Sequence, residues 1–84
     1  MGYWLYILRC ADGTYYTGIT TDVARRVSEH DGVSGKGAKY TATRRPVELV
    51  YEDSFSSRSD ALKEELRIKR LTRSQKQELI SSAA

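Results

Sequence analysis

Cysteine, proline and long apolar runs are the conspicuous shortages of this chain. Cys10 is the single cysteine in 84 residues, so no internal disulfide and no cysteine-based zinc cluster can form. No stretch approaches the roughly 20 apolar residues that cross a bilayer. The opening Met1-Gly2-Tyr3-Trp4-Leu5-Tyr6-Ile7-Leu8 lacks a basic leader and reads as a strand, not a signal peptide. These absences point to the cytoplasm and away from a membrane. The length leaves no room for a second hydrophobic core, so residues 1–84 read as one domain.

Charge is plentiful but nearly balanced. Fourteen Lys and Arg against eleven Asp and Glu give a net charge of +3, too little to argue for nucleic acid on its own. The distribution is more telling: Lys36, Lys39, Arg44 and Arg45 fall between Gly32 and Val47 with no acidic residue among them. Concentrated cationic charge is what binds phosphate; the alternative is an ordinary solvated loop.

Tyr3 to Cys10 carries apolar side chains at both alternations, the pattern of a strand covered on both faces. Asp12-Gly13 supplies a turn, and Thr14 to Thr20 returns as an antiparallel partner. Thr21 or Asp22 caps a first helix running to about Asp31, with Gly32 as its stop. A glycine-rich basic loop over 32–39 follows. Pro46 fits the start or edge of a third strand over Val47 to Tyr51. Ser57 or Ser59 opens a second helix to about Leu71, and Thr72 with Gln75 forms a capping box for a third. The expected fold is α/β (α+β): a small three-stranded antiparallel sheet flanked by helices, in the order β-β-α-β-α-α.

Several polar residues stand where this fold should be dry. Val23 and Val27 define the inward stripe of the first helix; Arg26 and the only histidine, His30, flank it. Structurally, Arg26 could pair with a carboxylate and His30 could be a satisfied boundary residue. On the second helix Ala61, Leu62, Leu66 and Ile68 mark the apolar face, and at about 100° per residue Glu65 projects between Ala61 and Leu62. A carboxylate aimed inward is costly unless paired or bound to metal. One reading is a buried salt bridge to Arg26 or another base. The other is a ligand for a hard divalent cation, with waters and phosphate oxygens completing the shell, which suits magnesium. Tyr6 and Tyr16 lie on adjacent strands, where aromatics are ordinarily packing. Gly18 within a strand marks a bulge or a close backbone approach.

Taken in order, these residues resemble the GIY-YIG nuclease superfamily, in particular its short, stand-alone, single-domain bacterial-type members. Trp4-Leu5-Tyr6 corresponds to the first signature, keeping only its tyrosine, and Tyr16-Thr17-Gly18 to the second. Gly18 through His30 is similar to the family's arginine helix. Gly35 through Thr41 resembles the basic loop of the stand-alone and structure-selective branches. Ala61 through Lys69 looks like the helix bearing the metal-binding glutamate. Ile19 stands where some members carry a lysine, so that lysine's role does not transfer.

The resemblance implies a phosphodiester hydrolase: a divalent-metal-dependent endonuclease acting on DNA, with damaged or branched forms in repair or recombination as candidate substrates. It implies Mg2+ or Mn2+ on Glu65, and Arg26 stabilising the charge on the cleaved phosphate. One of Tyr6 and Tyr16 would help activate the water, and His30 would assist proton transfer or contact phosphate. Gly18 would let backbone and phosphate approach. Lys36, Lys39, Arg44 and Arg45 would bind nucleic acid, and a targeting protein partner would be compatible with so small a domain. The competing reading is a non-catalytic nucleic-acid-binding accessory module that keeps the fold.

Overall fold

The computed structural model describes residues 2–32 and 37–83. Strands β1 (Tyr3–Cys10), β2 (Tyr15–Thr20) and β3 (Val47–Phe55) form one antiparallel sheet in the order β2-β1-β3. Helices α1 (Val23–Asp31), α2 (Lys39–Ala42), α3 (Arg58–Lys69) and α4 (Arg73–Ala83) surround it. This is the expected architecture, with one helical turn, α2, added where the sequence suggested only loop.

Local chemistry accounts for the boundaries. The β1–β2 hairpin closes through a turn from the Gly13 N–H to the Cys10 carbonyl, with Gly13 at φ +84°, a backbone state that favours glycine. Asp12 takes both the amide and the hydroxyl of Thr14. Asp22 caps α1 by accepting from the Arg25 amide at 3.1 Å, and Ser57 caps α3 by accepting from the Asp60 amide at 3.1 Å. The box at the start of α4 is reciprocal: Thr72 Oγ1 accepts from the Gln75 amide, and Gln75 Oε1 from the Thr72 amide. β3 continues to Phe55, four residues beyond the expected Tyr51, because β1 offers pairing partners along its whole length, as far as Tyr3 opposite Phe55.

Being central, β1 is covered on both faces, and Leu5, Tyr6, Ile7 and Leu8 are all buried. Side chains alternate between two half-cores. Tyr6, Leu8 and Cys10 pack with Val47, Tyr16, Val27 and Tyr40 on the side of α1 and α2. Leu5 and Ile7 pack with Ile68, Leu71, Leu79 and Ile80 on the side of α3 and α4. The stripe of α3 that faces inward is Ala61–Glu65–Ile68; Leu66, assigned to that face from sequence, is 56% exposed. The reason is angular: Leu66 follows Glu65 by about 100°, and Ile68, not Leu66, continues the line from Ala61.

This correction is testable by urea denaturation. Ile68→Ala should cost about 2–5 kcal/mol, whereas Leu66→Ala should fall within about 0.5 kcal/mol of the parent; comparable losses would reverse the assignment.

Candidate active site

The site is built around the Tyr6 phenol. Tyr6 sits mid-way along β1, opposite Gly18 on β2 and Glu52 on β3. A Cβ at Gly18 would lie 2.5 Å from the Tyr6 hydroxyl oxygen, so the glycine exists to admit this ring. The close approach expected at Gly18 is made by the protein's own phenol.

From α1, His30 meets that phenol, with Nε2 2.9 Å from the hydroxyl oxygen. The other ring nitrogen, Nδ1, lies 2.9 Å from Thr41 Oγ1, and Thr41 donates its own proton to the Ala38 carbonyl at 2.9 Å. With its hydroxyl proton used there, Thr41 accepts from Nδ1–H. That tautomer leaves Nε2 to accept from Tyr6. The Ala38 amide, which could donate to Nδ1 only in the other tautomer, lies farther off at 3.3 Å. Gly37 makes room at the back of this assembly: a Cβ there would lie 2.9 Å from the Glu29 carbonyl and from His30 Cα.

Arg26 completes the chain, donating to the Tyr6 oxygen and, at 2.9 Å, to Glu29 Oε1. Burial opposes its charge, but hydrogen bonds to Glu29 and Tyr6 more than offset this, so the guanidinium is held charged. The sequence left open whether Arg26 pairs with a carboxylate; it does, with Glu29, while also reaching the phenol. For Tyr6 the balance runs the other way. Burial, with smaller contributions from Tyr16 and Glu65, outweighs the Arg26 hydrogen bond and pushes the phenol up to about 12. Burial and the neighbouring Arg26 charge push His30 below its usual value, against a smaller pull from Glu29. At neutral pH the centre is therefore a neutral phenol donating to a neutral imidazole, beside a charged guanidinium.

Tyr16 is half-buried, and its ring centroid lies 5.0 Å from that of His30 and 6.4 Å from that of Tyr6. Tyr40 stacks behind it at 5.8 Å, and the Arg44 guanidinium covers Tyr40 at 4.0 Å. Glu65, on the inward stripe of α3, is 15% exposed and pairs with Lys69 at 3.5 Å across one helical turn. Its charge is the smallest of the influences on the Tyr6 phenol, and α3 packs on the Leu5 and Ile7 side of the sheet. Among the described residues no three His, Cys, Asp or Glu gather as a metal cage. A hard cation here would take one protein carboxylate and keep the rest of its shell for water and phosphate. Glu65 fits that role, since its partner is a half-exposed lysine in a weak surface-type pair.

The basic residues divide. Lys36 lies outside the described residues. Lys39 is exposed and lines a cavity of about 240 Å³ with Arg45, Gly37 and His30. Arg45 is tied to the Ala42 and Gly32 carbonyls. Arg44 is bound to Asp12 at 3.0 Å and to the Tyr40 carbonyl at 2.9 Å; it clamps α2 to the hairpin turn. Sequence reasoning missed Thr41, Gly37 and Glu29 as supports of the centre. A threonine and a glycine inside a basic loop were the available signal for the first two.

The profile of the GIY-YIG catalytic domain matches residues 2–78. The chain belongs to the GIY-YIG family. Its relatives are UPF0213 proteins, a small stand-alone branch. One from Halobacterium salinarum is 56% identical over 75 residues, 89% of this chain and 95% of the relative. One from Staphylococcus haemolyticus is 50% identical, covering 93% of each. The solution NMR structure of a UPF0213 protein from Bacillus halodurans superposes with a TM-score of 0.62 at 48% identity, covering 96% of this chain and 84% of that one. A second NMR structure, of a protein from E. faecalis, gives 0.65 at 42% identity, with 99% and 88% covered. The GIY-YIG catalytic domain is a nuclease fold, which supports a hydrolase acting on nucleic acid. Among the described residues no helix is long and apolar enough to cross a membrane.

Two predictions follow from the geometry of this GIY-YIG centre. Gly18→Ala forces a methyl group against the phenol and should cost about 1–3 kcal/mol in chemical denaturation; an unchanged midpoint would mean that Tyr6 moves freely. The second concerns pH. Because folding lowers the His30 pKa, the unfolded chain binds the extra proton, and stability is complete above the unfolded value of about 6.5 and falls as pH drops below it. Melting temperatures between pH 7.5 and 5.5 should decline in the parent and decline less in His30→Gln; parallel slopes would contradict a buried neutral imidazole.

Proposed function

We propose that this GIY-YIG protein is a divalent-metal-dependent endonuclease that hydrolyses phosphodiester bonds in DNA, with damaged or branched DNA met in repair or recombination as its substrate. The observation that carries the reading is the convergence of Arg26, His30 and Tyr16 on the one buried Tyr6 phenol, with an inward carboxylate, Glu65, on α3. A salt-bridge network needs no buried tyrosine–histidine pair at its centre, and a pure binding module has no use for an inward carboxylate.

Phosphodiester hydrolysis needs an activated water, positive charge at the phosphate and a proton for the leaving oxygen. Arg26 provides fixed positive charge, and its hydrogen bonds to Tyr6 and Glu29 aim it before substrate arrives. Tyr6 is buried and its phenol is hard to ionise; its part is to position Arg26. Tyr16, the more exposed tyrosine, is the one to meet the attacking water. His30 holds Tyr6 from behind and, being neutral, can accept a proton relayed through it. Glu65 is the residue to hold Mg2+ or Mn2+, which when bound supplies charge neutralisation at the phosphate and a more acidic water. Lys39 and Arg45, with Lys36, would follow the strand leaving the site. A single domain of this size fits a targeting partner that selects the substrate, and a cytoplasmic setting agrees with the lone, buried, unbridged Cys10.

The test is cleavage of end-labelled single-stranded, duplex, flap and junction DNA with magnesium, manganese or EDTA. Glu65→Ala should abolish the metal-dependent products. Arg26→Ala should reduce the rate by about 10²–10³ or more, the scale of removing a fixed donor from a charged transition state, with circular dichroism confirming that both variants fold. Full turnover by folded Arg26→Ala would remove this mechanism. Salt-sensitive binding without cleavage by the parent across the panel would favour the accessory module.

A further inference from the structure

A groove of about 520 Å³ is lined by Trp4, Val23, Val27, Leu49 and Glu52. It shares Val27 with the packing around Tyr6. Trp4 precedes Tyr6 by two residues on the same face of β1, and Glu52 is the residue directly opposite Tyr6 on β3.

Two features indicate what this groove takes. First, the Glu52 carboxylate is exposed and makes no ion pair or hydrogen bond among the described residues, unlike that of Asp22 at the groove's end, which caps α1. An unpaired carboxylate repels a phosphate, so the groove does not follow the backbone; it accepts N–H donors. Second, the rest of the lining is an indole with aliphatic side chains, which suits a flat aromatic face. A ligand that is planar, carries N–H donors on one edge and is tethered beside a scissile phosphate is a nucleobase. Guanine places two adjacent donors, N1–H and N2–H, against the two oxygens of a carboxylate. Those atoms are on its Watson–Crick edge, so the base must be unpaired.

We propose that this groove binds an unpaired guanine of the substrate strand next to the cleavage site, with Trp4 stacking on the base and Glu52 accepting from its N1–H and N2–H. The proposal rests on the nuclease reading for its substrate and assigns that substrate a single-stranded or distorted character.

Trp4 is the only tryptophan, so its emission reports on the groove directly and without any cleavage. In EDTA, the full chain is titrated with short thymidine oligonucleotides carrying one central guanine, one central inosine or neither. Binding is followed in parallel by the anisotropy of a label on the DNA. The guanine strand should quench Trp4 and bind about tenfold tighter than the all-thymine strand, with inosine, which lacks the N2 donor, between them. Glu52→Gln, a surface change, should bring the guanine and thymine affinities within about twofold of each other. Equal affinities in the parent, no strand binding at all, or binding that leaves Trp4 emission unchanged would overturn the proposal. So would a Trp4 response confined to a lysine-rich peptide, which would make the groove a protein-docking surface. A guanine preference that persists in a protein cleaving none of the DNA panel in metal would uphold the groove and count against the nuclease reading alone.

Discussion

Burying a phenol and an imidazole against each other requires that every polar atom of both be satisfied, and in this fold that requirement organises the seam between the central strand and its first helix. Tyr6 and His30 are each about 1% exposed, where an unsatisfied donor or acceptor would cost roughly 1–3 kcal/mol. The chain meets the demand from both ends. Arg26 donates to the phenol oxygen, Thr41 accepts from the far side of the imidazole, and Thr41 in turn closes on the Ala38 carbonyl. Two glycines, Gly18 beside Tyr6 and Gly37 beside His30, are the spatial conditions for the same bond. Among the described side chains no buried nitrogen or oxygen lacks a partner.

Most of the fold was legible in the sequence because most of it is set locally. The Asp12-Gly13 turn, the caps at Asp22 and Ser57 and the Thr72–Gln75 box each depend on residues within three or four positions of one another. The two-sided burial of β1 was equally readable from its unbroken apolar pattern. What escaped was set at a distance. β3 is longer than its own residues suggest because β1 gives it partners through Phe55. α2 forms in a basic loop because Thr41, engaged with His30, folds back on Ala38.

The site divides in the same way. Residue types supplied the inventory of Tyr6, Tyr16, Arg26, His30 and Glu65, but not who touches whom. Nothing in spacing alone says that the two best proton-transfer candidates bond to each other, or that Gly18 is small for the sake of a tyrosine. Nor does it say that Arg44, one of four candidate phosphate binders, is already held by Asp12 and Tyr40. Such assignments depend on tertiary partners that a helical or strand period cannot reveal.

The electrostatic layout follows from the same seam. Because the Tyr6–His30 pair is neutral, the charges nearest the phenol are the Arg26 guanidinium, paired with Glu29, and, as a weaker influence, the Glu65 carboxylate, paired with Lys69. Beyond these the surroundings differ by direction. Toward α2 lie Lys39 and Arg45; toward the start of α1 and the far end of the sheet lie Trp4, Leu49 and an unpaired Glu52. A uniformly basic cleft would hold any polyanion in any register. Two grooves of different character, one basic and one apolar-acidic, would favour a strand whose backbone lies toward the first and whose base turns to the second, so that orientation would be chosen before chemistry begins.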